Sequence, residues 1–549
     1  MPWSGQKAIL LGSYMARLKW LPRGRRAWHV RYCYDASTWE TLPLFRNGVW
    51  PTSDNKVREP NGNGKESDDF IVLMKRSNVR GGKGVTYYRP CTGHTIYTIG
   101  GRNIVLTKLA GIAEVAKQRP NEKFTSLAHL INVEMLAICH KEMDGKKASG
   151  IDEVTKEAYS ENLVDNLTDL VQRMKRHAYR PQPVRRVYIP KPGSDKKRPL
   201  GIPSYEDKLV QAALSKILTA IYEPEFLNCS YGFRPNRGCH DAIRALDDIL
   251  FRKPINYIVD FDIRGFFDHV DHNWMIKFLE HRIQDPNIIR LIKRFLKSGV
   301  MENGVRHETL EGTPQGGGAS PILANIYLHY VIDLWFEKRV RRLCRGAAYI
   351  IRYADDAVLC FQCESEARAC YKELVDRLKK FGLEIAEEKS KIIAFGRDPG
   401  KRDSNETGGS KGKPETFDFL GFTHYCGTGK NGRFCVKRKT SSKKYRASLL
   451  RAKLWIQENR HMPKDMLIDT LRRKLRGYYQ YYGITDNRDM LSKFLDEVKR
   501  HLFKNLNRRS QRRSYTWDKF VLFLKKYPLP RPKIYVHLFG NRPGTGSTL

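Results

Sequence analysis

The chain has 549 residues, 41% of them hydrophobic, enough for about two to four domains around sizeable cores and too apolar for a disordered polyelectrolyte. Its 99 Lys and Arg against 59 Asp and Glu leave a formal charge of +40, which repels itself in a compact molecule and points to a polyanionic partner, nucleic acid first. No apolar run reaches the roughly 20 residues that span a bilayer, and the short apolar patch at 8–11 has no cleavable signal pattern, so the sequence reads as intracellular with no membrane partner.

Residues 1–118 mix aromatics with turn formers and polar, Gly-rich stretches at 52–68 and 80–84, and read as a basic, irregular N-terminal extension. From about 121 the pattern turns helical: Leu127, Leu130, Ile131, Glu134, Met135 and Ile138 recur at three- and four-residue spacing. Another helix is expected to start at Ser204, where Ser204 and Asp207 resemble a capping box ahead of the apolar face Val210, Ala213, Leu214, Ile217, Leu218 and Ile221. Two β-rich segments follow. Residues 257–262 end in carboxylates, and 349–361 are interrupted only by Ala354-Asp355-Asp356-Ala357, a hairpin with acids at its tip. Residues 397–416 read as a polar linker. Beyond it the composition turns basic and aromatic, with no acid in 437–453. No internal repeat is visible.

The 11 cysteines form no framework, which suits reduced thiols. Cys360 and Cys363 are a lone CxxC inside strand-like sequence with no second pair at zinc-site spacing. His269 and His272, three apart after a turn, read as packing or helix-capping residues rather than metal ligands.

Nucleotide polymerisation needs two divalent cations, one at the primer 3′-hydroxyl and one at the triphosphate. Mg²⁺ takes carboxylate oxygens and keeps several waters, so two or three aspartates on adjacent strands suffice. Asp262 and the pair Asp355-Asp356 supply such a set, although solvated turn acids would look the same. Asp260 shares a strand face with Asp262 and stays open as its rival.

Motifs in order along the chain narrow the choice. Tyr353-Ala354-Asp355-Asp356 resembles the YxDD box of reverse transcriptases, and Asp262-Ile263-Arg264-Gly265-Phe266-Phe267-Asp268 resembles their first carboxylate motif. Gly312-Thr313-Pro314-Gln315-Gly316 with Ser320-Pro321-Ile322-Leu323-Ala324-Asn325 is similar to the PQG…SPxLxN stretch of the group II intron branch. Arg198-Pro199-Leu200-Gly201-Ile202-Pro203, Tyr231-Gly232-Phe233-Arg234-Pro235 and Phe419-Leu420-Gly421-Phe422 match that branch too. The matches run from about 121 to 425 and continue more weakly to about 540, so the chain resembles a bacterial group II intron-encoded reverse transcriptase and maturase.

The resemblance implies an α+β right-hand polymerase with a helical thumb. Fingers are expected over 119–255, an antiparallel-centred palm over 256–425, the thumb or maturase region over 426–500 and a basic tail over 501–549. It further implies that Asp262, Asp355 and Asp356 are the catalytic metal ligands for two Mg²⁺ ions, with Mn²⁺ a substitute. In the nucleotide site, Lys191 and Arg198 would grip the triphosphate. Phe267 would exclude a 2′-hydroxyl, with neighbouring Phe266 the alternative. Gln315 would contact template or incoming nucleotide, and Lys389 matches the later palm motif.

Downstream, Arg472, Arg473, Lys474 and Arg476 precede Gly477-Tyr478-Tyr479-Gln480-Tyr481-Tyr482, basic and aromatic residues interleaved as RNA binding requires, with Tyr478 the stacking candidate or else a core ring. Arg508, Arg509, Arg512 and Arg513 form a basic cluster suited to DNA. Many relatives carry a zinc-dependent HNH endonuclease with cysteine pairs; with no cysteine after Cys435, this sequence is expected to lack it. The expected function is cytoplasmic, bacterial RNA-directed DNA polymerisation from dNTPs. Intron RNA would serve as template and DNA as primer or target, coupled to splicing and mobility. A splicing-only maturase and a polymerase recruited to another role such as phage defence are the alternatives, and a homodimer is left open.

Overall fold

The computed structural model describes residues 85–88, 96–99, 104–190, 197–302, 304–309, 311–313, 316–397, 414–429, 432–509 and 515–538. Lys191, Gln315, Arg512, Arg513, most of the 1–118 extension and residues 398–413 of the polar linker lie outside them.

An antiparallel hairpin, β1 (Val85–Tyr88) and β2 (Ile96–Ile99), precedes α1 (Ile104–Gln118). The apolar stripe read as one helix from Leu127 to Ile138 is divided into a 3₁₀ turn (Ala128–Leu130) and α2 (Val133–Glu142). Asn132 makes the break, its side chain accepting the Met135 N–H at 2.9 Å, because an N-cap amide outcompetes continued periodicity there. After α3 (Lys156–Ser160) and α4 (Leu163–Lys175) come the hairpin strands β3 (Val184–Pro190) and β4 (Lys197–Ile202).

The helix expected at Ser204 is α5 (Tyr205–Tyr222), with 11 of its 18 residues buried and none exposed. Ser204 caps it, but only half of the capping box forms. Instead of reaching back to the cap, the Asp207 carboxylate accepts from Tyr179 Oη and the Gln182 N–H and so anchors the approach to β3. α6 (Cys239–Arg252), β5 (Tyr257–Phe261), α7 (His272–Glu280) and α8 (Pro286–Leu296) follow, then β6 (Val300–Glu302) and β7 (Val305–His307), which join the β3–β4 hairpin in the order β4-β3-β6-β7. α9 (Ser320–Leu328) runs on through two π-type segments, His329–Asp333 and Phe336–Val340, into α10 (Arg341–Leu343).

β8 (Ala348–Tyr353), β9 (Asp356–Phe361), α11 (Glu364–Lys380) and β10 (Lys391–Ala394) complete an antiparallel sheet of order β10-β5-β9-β8. The strand pleat divides its two faces cleanly. Ala357, Leu359 and Phe361 enter the large core with Val259 and Phe261, while Val358, Cys360 and Ile258 pack into a second core shared with α6. Asp260, Asp262 and Asp356 continue these latter rows at one end of the sheet, and the lone CxxC resolves into a buried strand residue, Cys360, and Cys363 at the cap of α11.

A three-stranded meander, β11 (Phe417–Phe419), β12 (Phe422–Thr428) and β13 (Phe434–Thr440), leads into the helices α12 (Ser442–Glu458), α13 (Lys464–Tyr482), α14 (Arg488–Leu506) and α15 (Trp517–Lys526) around a separate apolar core. Fully buried Arg438 on β13 joins the two parts, pairing with Asp247 of α6 and with Asp486. Among the described residues no helix is long and apolar enough to cross a membrane.

Candidate active site

The β8–β9 connection is as short as a hairpin allows: Tyr353 pairs with Asp356, leaving only Ala354 and Asp355 in the turn. Ala354 has φ 56°, a left-handed conformation of the kind that costs about 1–3 kcal/mol and persists where its surroundings enforce it. Gly232 is part of that enforcement, since a Cβ there would stand 2.3 Å from the Ala354 nitrogen. The glycine of the Tyr231–Pro235 motif is thus explained by backbone packed directly against the turn. β5 aligns with β9 through Asp260↔Val358 and Phe261↔Ala357, and the same register carried one residue further sets Asp262 level with Asp356.

The electrostatics report the crowding. Burial and the charge of Asp262 raise Asp355 above the usual carboxylate range, opposed by Arg198 and Arg352. Desolvation at the sheet end, with Asp355, Asp262 and Asp260 around it, pushes Asp356 up to about 7 although the residue keeps an exposed surface. Burial and the charges of Asp418 and Asp262 push Asp260 up to about 6. Like charges forced together at a cleft disfavour ionisation until a cation joins them. The Lys389 ammonium already lies against the Asp262 carboxylate as such a counter-charge, a pair too exposed to contribute much stability. Among the described residues no three His, Cys, Asp or Glu side chains are grouped closely enough to hold a metal ion by themselves. An open, oxygen-only set fits a hard cation that keeps water and substrate phosphate among its ligands.

Two loops meet beside the carboxylates. Phe266 is buried against Tyr327, whereas Phe267 is only half-buried, so of the two rings Phe267 is the more accessible. The segment carrying the Gly-Thr-Pro-Gln-Gly motif is laced to this loop: the Thr313 N–H donates to the Phe267 carbonyl at 2.7 Å, the Gly312 N–H to Val270 at 2.8 Å, and His272 Nε2–H to the Gly312 carbonyl at 2.7 Å. His272 is therefore a packing residue, and His269 faces Glu311 at 3.3 Å. Gly316, at φ 112°, lies where a Cβ would be 2.5 Å from the Gly201 carbonyl, so the loop also abuts β4, which carries exposed Arg198.

In α13 the basic and aromatic residues part company. Arg472, Arg473 and Arg476 line a shallow hollow of about 690 Å³ closed by Pro528, Leu529, Pro530 and Asp469. Arg472 builds its wall, donating to the Pro528 carbonyl at 2.8 Å and pairing with Asp469 at 2.6 Å. Lys474 points elsewhere, its ammonium 5.0 Å from the centre of the Trp455 ring. Tyr478 corrects the stacking expectation: it is 6% exposed and its ring lies 3.8 Å from that of Phe494. Burying the ring in the helical core removes both faces from any base. Arg508 lines a smaller hollow with Lys504 and Asn507, while Arg509 turns inward to the Met462 carbonyl.

The sequence reading missed the polar core beneath the turn. Arg352, Asp333, Asn325 and Ser230 are all buried there, and Asn325 Nδ2 donates to the Gly232 carbonyl at 2.7 Å. The available signal was an arginine in an otherwise apolar strand, one residue before the YADD box.

Residues 189–424 match the family described as reverse transcriptase (RNA-dependent DNA polymerase), and 443–521 match the group II intron, maturase-specific domain. The chain is 34% identical over 304 residues to the group II intron-encoded protein LtrA of Lactococcus lactis subsp. cremoris, covering 54% of this chain and 47% of that protein. It is 33% identical over 243 residues to protein YkfC of Escherichia coli (strain K12), covering 39% of this chain and 64% of that one. It is 37% identical over 232 residues to an uncharacterized 91 kDa protein in the cob intron of Schizosaccharomyces pombe, covering 41% and 28%. The chain thus spans about half the length of LtrA, and less than two thirds of each of the others. Its sheet with a carboxylate turn is the palm of a right-hand polymerase, and because maturase helices follow that palm in one polypeptide, the chain belongs to the group II intron-encoded reverse transcriptases and maturases.

Proposed function

We propose that the chain is an RNA-directed DNA polymerase that binds its intron RNA, assists splicing and supports mobility by target-primed cDNA synthesis. Intron RNA is the template, DNA the primer and target, and dNTPs the substrates. The observation that carries this reading is the two-residue turn presenting Asp355 and Asp356 at the sheet end where Asp262 comes level with them. In this reading fingers occupy 119–255, the palm 256–425, the thumb 426–500 and a DNA-contacting tail with Arg508, Arg512 and Arg513 the remainder, Arg509 being held inward by the Met462 carbonyl.

Asp262, Asp355 and Asp356 would hold two Mg²⁺ ions, which activate the primer 3′-hydroxyl and offset charge on the triphosphate and pyrophosphate. Asp260 shares their strand face and is raised to about 6 by burial, Asp418 and Asp262, which makes it a neighbour that adds negative potential. Arg198 offers a guanidinium to phosphate oxygens, joined by Lys191 and by Lys389, whose ammonium is already at the site. The accessible part of the Phe267 ring meets the sugar and excludes a 2′-hydroxyl, and Gln315, two residues beyond the Thr313 tie, orients the template or incoming base. Arg473 and Arg476, with Arg472 as their support, contact RNA phosphates from α13.

The test is primer extension on an RNA template with Mg²⁺ and dNTPs. The parent protein extends; Asp355→Asn, which removes a ligand charge, loses at least about a thousandfold in rate while keeping its melting profile. Near-parental extension by folded Asp355→Asn would sink the assignment.

A further inference from the structure

Arg352 lies on β8 immediately before the YADD turn, and its side chain is completely buried. Its guanidinium is fully committed. Nε donates to Asp333 Oδ1 at 2.7 Å and Nη2 to Asp333 Oδ2 at 2.6 Å, a two-pronged carboxylate pair. Nη2 also reaches Ser230 Oγ at 2.8 Å. Nη1 donates to Asn325 Oδ1 at 3.1 Å and to the Ala354 carbonyl at 2.9 Å. Backbone bonds from Arg352 N–H to Cys229 and from Tyr231 N–H to Arg352, at 2.8 and 2.9 Å, fasten the same strand to the segment that carries Gly232.

We propose that Arg352 is a positioning residue for the catalytic carboxylates, holding the Ala354–Asp355 peptide in the orientation that aims Asp355 into the metal site. The Ala354 carbonyl and the Asp355 N–H belong to one planar peptide unit, so a donor fixed on that carbonyl fixes the plane from which Asp355 departs. Gly232 sets the opposite limit by standing against the Ala354 nitrogen, and Asn325 links the two by bonding both Arg352 and the Gly232 carbonyl. The left-handed Ala354 is thereby pinned from two sides.

The helix beneath is shaped for the same end. Asn325 and Asp333 are eight residues apart, which on a regular α-helix rotates them roughly 80° from each other. The π-type segment His329–Asp333 takes up one extra residue, so the pair behaves like positions seven apart, about 20° from alignment, and both side chains reach one guanidinium. A buried ion pair alone is weak evidence of a stabilising role, because desolvation offsets most of its attraction. Contacts to the turn carbonyl and to Asn325 are what stability does not require and positioning does.

The experiment uses Arg352→Lys, which keeps the charge and loses the planar fork, and Asn325→Ala, which cuts the link to Gly232. Hydrogen exchange of the 354–356 amides is followed without metal, and Mg²⁺ and dNTP dependence of primer extension are followed with it. Expected are exchange of the turn amides at least about tenfold faster while β5 and the body of β9 stay protected. Half-saturating Mg²⁺ should rise several-fold with dNTP KM within about twofold, since small misplacements of a catalytic group cost much in rate and little in binding. Asn325→Ala should move both readouts the same way by less, and it stands in if Arg352→Lys does not fold. Unchanged turn exchange and unchanged Mg²⁺ dependence in either folded variant overturn the proposal. So does a variant that only loses active fraction at parental Mg²⁺ dependence, which is what a purely structural residue would give. The proposal rests on the polymerase reading, but turn exchange needs no activity. An inactive parent with a protected turn would count against that reading alone.

Discussion

In the palm, the proposed chemistry rests on a few charged side chains whose direction is set by strand register and a two-residue turn. In α13 the proposed RNA contacts rest on charges spread along a helix whose opposite face is core. Asp355 and Asp356 leave a turn braced by Gly232, Asn325 and Arg352, and a one-residue slip in β9 would send Asp356 to the other face. Arg473 and Arg476 project from a helix that would tolerate their removal, while Tyr478, Tyr479 and Tyr482 one turn away hold that helix against α14 and the meander. A strand-end site is therefore all-or-none. A helix-borne surface should be graded.

The largest expected effect separates the two regions by activity. Asp355→Asn with Asp356→Asn should lower cDNA synthesis by at least about a thousandfold and leave binding and splicing of the RNA encoded around the gene within about twofold. Joint loss of splicing and synthesis in a folded double variant would break the division between palm and thumb.

Next in size is a test inside α13 itself. Tyr478→Ala empties a site packed on Phe494 and should cost about 3–5 kcal/mol of stability, visible in melting curves, with RNA affinity unchanged below the transition. Arg473→Ala with Arg476→Ala should leave melting unchanged and flatten the log–log dependence of RNA affinity on salt by about 1.4–1.8, or 0.7–0.9 per phosphate contact. If instead Tyr478→Ala weakens RNA binding at full stability, its burial is not the resting state of that helix.

The proposed sugar contact at Phe267 falls between these extremes, being a side chain on a loop laced to a second loop. Phe267→Ala should raise ribonucleotide incorporation relative to deoxynucleotides by about 10- to 100-fold, measured as a ratio of kcat/KM. Phe266→Ala should instead act on stability, since that ring is buried against Tyr327. An exchange of these outcomes would put the sugar gate one residue earlier.

How legible each region is follows the same physics. The β8–β9 hairpin, β5 and α5 could be read from the chain because period-two and helical apolar patterns coincide there with turn and cap residues. The stripe from Leu127 to Ile138 misled because Asn132, a strong cap, sits inside it without disturbing the spacing. Tyr478 misled because aromatics next to arginines look alike whether they face RNA or a core; only the partner, Phe494, decides. Arg352 lies on a different element from Asn325 and Asp333, and the π-type turn that aligns the latter two has no pattern to announce it. The reason for Gly232 was equally hidden, since its neighbour is a backbone nitrogen over a hundred residues away.

The smallest effect sharpens the palm side of the comparison, because a site built by crowding carboxylates should weaken the fold that holds it. Asp356 is pushed from its ordinary 3.8 up to about 7 by desolvation and by Asp355, Asp262 and Asp260. A carboxyl whose folded value lies above its unfolded value binds more protons when folded, so between about pH 4 and 7 the metal-free parent loses stability as pH rises. Asp356→Asn removes the ionisation. In the presence of a chelator the variant should be more stable than the parent, by on the order of 1 kcal/mol at about pH 8 once solvent screening of this exposed side chain is allowed for. The difference should shrink below about pH 7 and vanish below about pH 4, where the parent is protonated in both states. Mg²⁺ at about pH 8 should close the gap from the other side, stabilising the parent more than the variant by binding only the folded site. Paired melting curves across pH, with and without Mg²⁺, read all of this. A metal-free Asp356→Asn protein less stable than its parent at about pH 8 would mean that nearby cations such as Lys444 outweigh the three aspartates, and that the cleft is balanced before any metal arrives.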